Sequence, residues 1–338
     1  MSARAAIFAP AGTRLSADEA RFFAQAEPWG FILFARNVDN PDQLRRLTGD
    51  LRKSVGRDAP VLIDQEGGRV ARMRSPHWQE WLAPLDLVAG LPDPAAQARA
   101  ITSRYRVIAS ELRRVGIDAN CAPVLDIATA QTHPFLRNRC LGESAVQVVR
   151  NGRAAADALL AGGVLPIVKH APGHGRATQD SHKDLARSEA PLAVLQAEDF
   201  APFAALADMP LAMTGHILFP ALDAENCATF SPVILRYLRQ TLGFGGLLIS
   251  DDLSMEALQG DIGSRAARAL AAGCDIVLHC NGRLDQMAII AAIAPVLDGA
   301  VAQRAARALA MRRTPEPCDL PAMLAEAHRF EHEVPHAR

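Results

Sequence analysis

The sequence has no long apolar run. Nothing approaches the roughly 18 consecutive apolar residues that read as a membrane span, so no transmembrane helix is expected. The first residues, MSARAAIFAPAGTRLS, hold no apolar core and no small-residue cleavage site, and no signal peptide is expected. Net charge is nearly absent too: 36 Lys and Arg stand against 37 Asp and Glu, leaving −1. A chain so balanced is not expected to bind nucleic acid or a membrane surface. It contains neither GxGxxG nor GxxxxGK[ST], so nothing points to a nucleotide. The six cysteines form no CxxC pair. Cys121, Cys274 and Cys280 fall in or beside apolar runs, where a free thiol behaves as a small hydrophobe. Reduced, structural cysteines fit a cytoplasmic protein.

What is there is a globular chain. The 338 residues, 49% hydrophobic and 22% charged, suffice for one large domain or two ordinary ones, and no linker divides them. Eight short apolar runs recur, at residues 5–9, 30–34, 60–64, 116–124, 164–168, 211–216, 246–251 and 273–280. Helical segments lie between them. Ser16 and Glu19 form a capping box, and Asn40-Pro41-Asp42 opens a helix to about Val55. Further helices are expected near 94–115, 143–162, 191–207, 232–241 and 264–272. Continuous apolar strands imply a parallel sheet buried on both faces. Eight such units suggest a single-domain α/β chain folded as a (β/α)8 barrel over 1–338, with a doubly wound open sheet as the rival. The chain after about residue 314, with His328, His332 and His336, reads as a loosely ordered, solvated tail. In a barrel, Asp64, Lys169, His170, His216 and Asp251 all stand at C-terminal strand ends, where active sites are built.

Those residues suggest chemistry. Asp251 and Asp252 are adjacent carboxylates at a strand end, and one can serve as nucleophile or base while the other holds the loop. Asp64 precedes Gly67-Gly68, a pair that permits a tight turn, and is followed by Arg69 and Arg72. A carboxylate and an arginine bind vicinal hydroxyls well. Lys169 can form a Schiff base, as in an aldolase, or donate hydrogen bonds to substrate oxygens. His174, in Pro172-Gly173-His174-Gly175, suits a role in pinning its loop. Asp180-Ser181-His182 has the i, i+2 spacing that puts a carboxylate beside an imidazole in extended chain, which makes a general acid/base unit. The spacing of His170, His174 and His182 does not favour zinc, because Pro172, Gly173 and Gly175 forbid the helix that HxxxH requires.

Three long motifs then resemble a known family. KHAPGHGRATQDSH resembles the KHFPGHG…DSH segment of glycoside hydrolase family 3, and within it the bacterial cytoplasmic β-N-acetylglucosaminidases of peptidoglycan recycling. DQEGGRVAR and GLLISDDLSM are similar to the family's DQEGGRVQR and SDDLSM, and APVLDI stands in the same order. The resemblance implies a (β/α)8 barrel and a retaining mechanism through a covalent glycosyl-enzyme. It puts the nucleophile on Asp251 and the acid/base on His182, with Asp180 as its partner. It assigns Asp64, Arg72, Arg139, Lys169 and His170 to binding the N-acetylglucosamine ring. Asn138, Cys140 and Leu141 replace the commoner Asp, Ser and Phe around Arg139, and Ala171 replaces a frequent Phe.

The implied activity is exo-hydrolysis of terminal β-linked N-acetylglucosamine from 1,6-anhydromuropeptide fragments. The enzyme is expected to act as a cytoplasmic monomer on an oligosaccharide, with no metal and no organic cofactor. The rivals are a phosphorylase using phosphate as acceptor and an inactive sugar-binding protein. In the phosphorylase, an imidazole base, uncharged when basic, repels the anion less than a carboxylate does. The segment bearing Asp180 and His182 is expected to move onto bound sugar.

Overall fold

The computed structural model describes residues 3–177 and 185–334. Its centre is a closed barrel of eight parallel strands: β1 (Arg4–Phe8), β2 (Pro28–Leu33), β3 (Val61–Ile63), β4 (Ala119–Asn120), β5 (Leu165–Ala171), β6 (Leu211–Thr214), β7 (Leu247–Asp252) and β8 (Ile276–His279). Each strand pairs with its neighbours in sequence, and β8 closes onto β1 through Ala6–Val277 and Phe8–His279. The open sheet is excluded. All eight apolar runs became strands because each is apolar on both faces, one turned into the barrel and the other against the helices.

The helices start where their caps predict. Ser16 accepts from the Glu19 N–H while the Glu19 carboxylate accepts from Ser16 N–H. Asn40, Asp93, Ser144 and Ser231 cap Pro41–Ser54, Pro94–Arg114, Ala145–Ala161 and Pro232–Gln240 with side chains that accept first-turn N–H groups, without the reciprocal bond. Residues 191–207, expected as one helix, form two, Leu192–Ala197 and Ala201–Ala205. Pro202 lacks an N–H and cannot sit inside a continuous helix, so the chain breaks ahead of it.

The end of the chain differs most from expectation. Leu320–Glu333 is a helix packed on Pro94–Arg114, where a loosely ordered tail was expected. Ala327 and Phe330 are buried there, and Glu331 pairs with the fully buried Arg104. Among the described residues, no helix is long and apolar enough to cross a membrane.

Candidate active site

Six sequence-nominated residues meet in one cavity of about 280 Å3 at the C-terminal mouth of the barrel: Asp64, Arg72, Arg139, Lys169, His170 and Asp251. Asp180 and His182 lie outside the described residues, as does the expected movement of their segment.

Asp64 follows directly on β3. Its Oδ1 accepts from Lys169 Nζ at 2.7 Å and its Oδ2 from Arg72 Nη2 at 3.0 Å. Arg72 is carried back over the cavity by a hairpin that pairs Gln65–Gly67 with Val70–Ala71. The turn passes through Gly67 and Gly68, both at positive φ (106° and 58°), and a Cβ on Gly68 would stand 2.7 Å from Ala83 Cα. Burial would raise the Asp64 pKa, but Lys169 and Arg72 overcome it and hold the carboxyl far below its usual range.

Lys169 ends β5 and is almost wholly buried. Its ammonium bridges Asp64 and Glu66, at 2.7 Å from each. Burial would depress it, yet the two carboxylates hold it well above the ordinary lysine value. An amine kept charged in this way is no Schiff-base nucleophile, which removes the aldolase reading. Glu66 also receives Arg139, from Nε at 2.9 Å and Nη2 at 2.8 Å, in a buried bidentate pair.

The bond from Lys169 to His170 is cis. His170 Nδ1 lies 2.7 Å from Asp126 Oδ2 and its Nε2 lies 3.5 Å from Arg139 Nη2. An ionised Asp126 only accepts, so Nδ1 carries a proton. Asp126 resists burial through His170, which holds its carboxyl below the ordinary value. Its Oδ1 also takes the main-chain N–H of His174 at 2.6 Å, so the Pro172–Gly175 turn is pinned through the main chain and not, as the sequence suggested, by the histidine side chain.

The two aspartates at the end of β7 have different surroundings. Asp252 Oδ1 accepts from the N–H groups of Ser254 (3.0 Å) and Cys280 (3.1 Å), and Oδ2 accepts from Ser254 Oγ (2.6 Å). It ties the strand to its loop and to the end of β8. Asp251 Oδ1 accepts only the N–H of Asp252, at 2.8 Å, among the described residues. Burial would raise Asp251, but His216 and His170 draw it below the ordinary value, so it is ionised. His216 does not bind in the cavity. Its Nε2 donates to the Asp252 carbonyl (3.0 Å) and its Nδ1 lies 2.8 Å from Thr229 Oγ1, which fixes the end of β7.

Glu66 and Asp126 were not nominated from the sequence. The available signal was position. Asp126 closes APVLD, as Asp64 closes the third run and Asp251 the seventh, and Glu66 lies two residues beyond Asp64.

This cluster presents an ionised, accessible carboxylate beside fixed donors and acceptors, a set suited to holding sugar hydroxyls while an anomeric carbon is attacked. Comparison with known proteins agrees. Residues 7–313 match the glycosyl hydrolase family 3 N terminal domain. A β-hexosaminidase of Bordetella parapertussis is 38% identical over 277 residues, covering 80% of this chain and 78% of the relative. One from Methylococcus capsulatus is 38% identical over 275 residues, covering 80% of each. Among solved structures, native NagZ from Neisseria gonorrhoeae superposes with a TM-score of 0.86 at 30% identity, over 99% of this chain and 97% of that one. The same protein in complex with N-trifluoroacetyl-D-glucosamine gives 0.85 at 29% identity, over 99% of both chains. The chain therefore belongs to glycosyl hydrolase family 3 and is a glycoside hydrolase.

Proposed function

We propose that the protein is an exo-acting, retaining β-N-acetylglucosaminidase that removes terminal β-linked N-acetylglucosamine from peptidoglycan fragments in the cytoplasm. The observation that carries this reading is the contrast at the end of β7: both Asp252 oxygens are taken up by the main chain and by the Ser254 hydroxyl, whereas the ionised Asp251 lines the cavity. Asp64, Arg72, Lys169, His170 and Arg139 hold the sugar ring. Glu66 and Asp126 orient them. The cavity, bounded by Asp252, Leu278 and Cys280, suits a terminal sugar rather than the middle of a chain.

In the first step Asp251 attacks the anomeric carbon and the glycosidic C–O bond breaks. His182, oriented by Asp180, gives its proton to the departing oxygen. In the second step His182 takes a proton from water, the water oxygen bonds to the anomeric carbon and Asp251 leaves. Net configuration at that carbon is retained. The assignment of His182 and Asp180 rests on the DSH motif.

Trapping with a 5-fluoro-N-acetylglucosaminyl donor, followed by peptide mass analysis, tests the reading. Label is expected on Asp251. Label on Asp252, or none on either, overturns the mechanism. Running the reaction with and without phosphate separates hydrolysis from phosphorolysis: free N-acetylglucosamine in both is expected, and a sugar phosphate would overturn hydrolysis.

A further inference from the structure

His174 is the one imidazole lining the cavity whose ring is left out of the hydrogen-bond network. Among the described residues neither Nδ1 nor Nε2 has a partner, although the residue is only 7% exposed. Its neighbours His170, Lys169 and Asp126 are paired, and an unpaired buried polar group beside them calls for a ligand to pair with.

The ring is held deliberately. The turn that carries it threads between two main-chain walls. A Cβ on Gly173 would meet Asp199 O at 2.7 Å, and one on Gly175 would meet Ile127 O at 2.1 Å. The His174 N–H is fixed on Asp126, and ring carbon Cδ2 packs 3.3 Å from where a Cβ on Gly215 would stand. The His170 ring lies edge-on, with centroids 5.9 Å apart.

Burial pushes the His174 pKa down to about 4 against the pull of Asp126, so the ring is neutral in ordinary use. A neutral imidazole offers one donor and one acceptor. The Asp64, Lys169 and Arg72 cluster offers full charges, which suit hydroxyls. An amide substituent asks for something else, an acceptor for its N–H and a donor for its carbonyl. His174 lines the same cavity as Asp251, whose charge reaches it. Asp251 marks the anomeric carbon, and the carbon next to it bears the 2-acetamido group.

Resting on the β-N-acetylglucosaminidase reading, we propose that His174 is a specificity-determining residue that hydrogen-bonds the 2-acetamido group and separates 2-acetamido sugars from 2-hydroxy sugars. The test compares p-nitrophenyl N-acetyl-β-D-glucosaminide with p-nitrophenyl β-D-glucoside in wild type, His174→Phe and His174→Gln. Competitive inhibition by free N-acetylglucosamine and free glucose supplies the same ratio where glucoside turnover is slow. His174→Phe keeps a ring of similar shape without nitrogens. It is expected to lower kcat/KM for the acetamido substrate about 10- to 100-fold, and to leave the 2-hydroxy comparison within about threefold. His174→Gln, which restores a donor and an acceptor, is expected to recover part of the loss. Equal losses on both substrates would make His174 a packing residue and overturn the inference, as would no loss on either. A wild-type enzyme inactive on the acetamido substrate would instead overturn the functional reading beneath it.

Discussion

At the scale of single residues, charge pairing divides side chains that the sequence presents as equivalents. Asp251 and Asp252 are chemically the same and adjacent, yet only Asp252 has both oxygens occupied. Asp252→Asn keeps an acceptor for the Ser254 and Cys280 N–H groups and is expected to lower kcat less than about tenfold, whereas Asp251→Asn, which on the proposed mechanism removes the nucleophile, is expected to lower it by roughly 10³-fold or more. Steady-state kinetics on an aryl N-acetylglucosaminide would check both, and equal losses would refute the division of roles. Glu66 makes the opposite point. It touches Lys169 and both nitrogens of the Arg139 fork while buried, and removing its charge leaves two cations short of a partner. Glu66→Gln is expected to cost about 3–5 kcal/mol of stability, measured by urea denaturation, and to lower kcat/KM with it. The motifs made Asp64, Arg72, Lys169, His170, Arg139 and Asp251 legible in advance. Glu66 and Asp126 were not, because a pair formed with a residue 73 or 44 positions away leaves no local pattern.

At the scale of elements, what the sequence revealed depended on how each element is held. The barrel strands were legible because burial on both faces writes itself as an uninterrupted apolar run. The helices capped by Ser16, Asn40, Asp93, Ser144 and Ser231 were legible because an apolar helical pattern follows a cap that satisfies main-chain N–H groups at a definite offset. The Leu320–Glu333 helix was not, because the buried Ala327 and Phe330 are interspersed with polar residues that find partners only across the chain. His328 Nε2 meets Gln79 Oε1 at 3.0 Å, and Glu331 accepts the Leu82 N–H at 2.8 Å while pairing with Arg104. Read alone, such residues describe a solvated tail. Arg104 also sits beneath the site hairpin, its Nη1 3.1 Å from the Leu82 carbonyl, next to Tyr105, whose hydroxyl donates to the Glu66 carbonyl at 3.2 Å. Glu331→Ala strips a fully buried guanidinium of its carboxylate and is expected to cost about 3–5 kcal/mol of stability. A urea midpoint unchanged from wild type would mean that the helix adds nothing to the barrel.

At the scale of the molecule, the barrel gathers its ionised groups at two ends. The far end from the cavity is clamped by Asp118, which takes the Val61 N–H at 2.8 Å and Arg52 at 2.9 Å, and by Asp275, which takes the Leu248 N–H at 2.9 Å and Arg304 at 2.5 Å. The cavity end holds Asp64, Glu66, Asp126 and Asp251, all drawn below their ordinary values. Their stabilisation is complete above the ordinary carboxylate range and is lost only as pH falls below it. Between pH 4.5 and 6.5 two other buried groups carry large shifts, with opposite signs. His174 falls from 6.5 to about 4 on folding, so its contribution is present above 6.5 and is lost as pH drops toward 4. Glu111, on Pro94–Arg114, rises from 4.5 to about 7 through burial, so its contribution is present below 4.5 and is lost as pH climbs through 7. Each shift corresponds to on the order of 3 kcal/mol, so the wild-type urea midpoint should change little across this window. The variants should separate the two slopes. Glu111→Gln keeps the carbonyl oxygen that accepts the Gln79 N–H. Its midpoint should fall steadily on acidification from pH 7 to 4.5, with His174 left unopposed. His174→Phe should do the reverse and gain stability on acidification, as Glu111 becomes protonated. Urea midpoints at four pH values between 4.5 and 7.5 would read both slopes. Parallel curves for the two variants would mean that neither buried group titrates as its surroundings dictate.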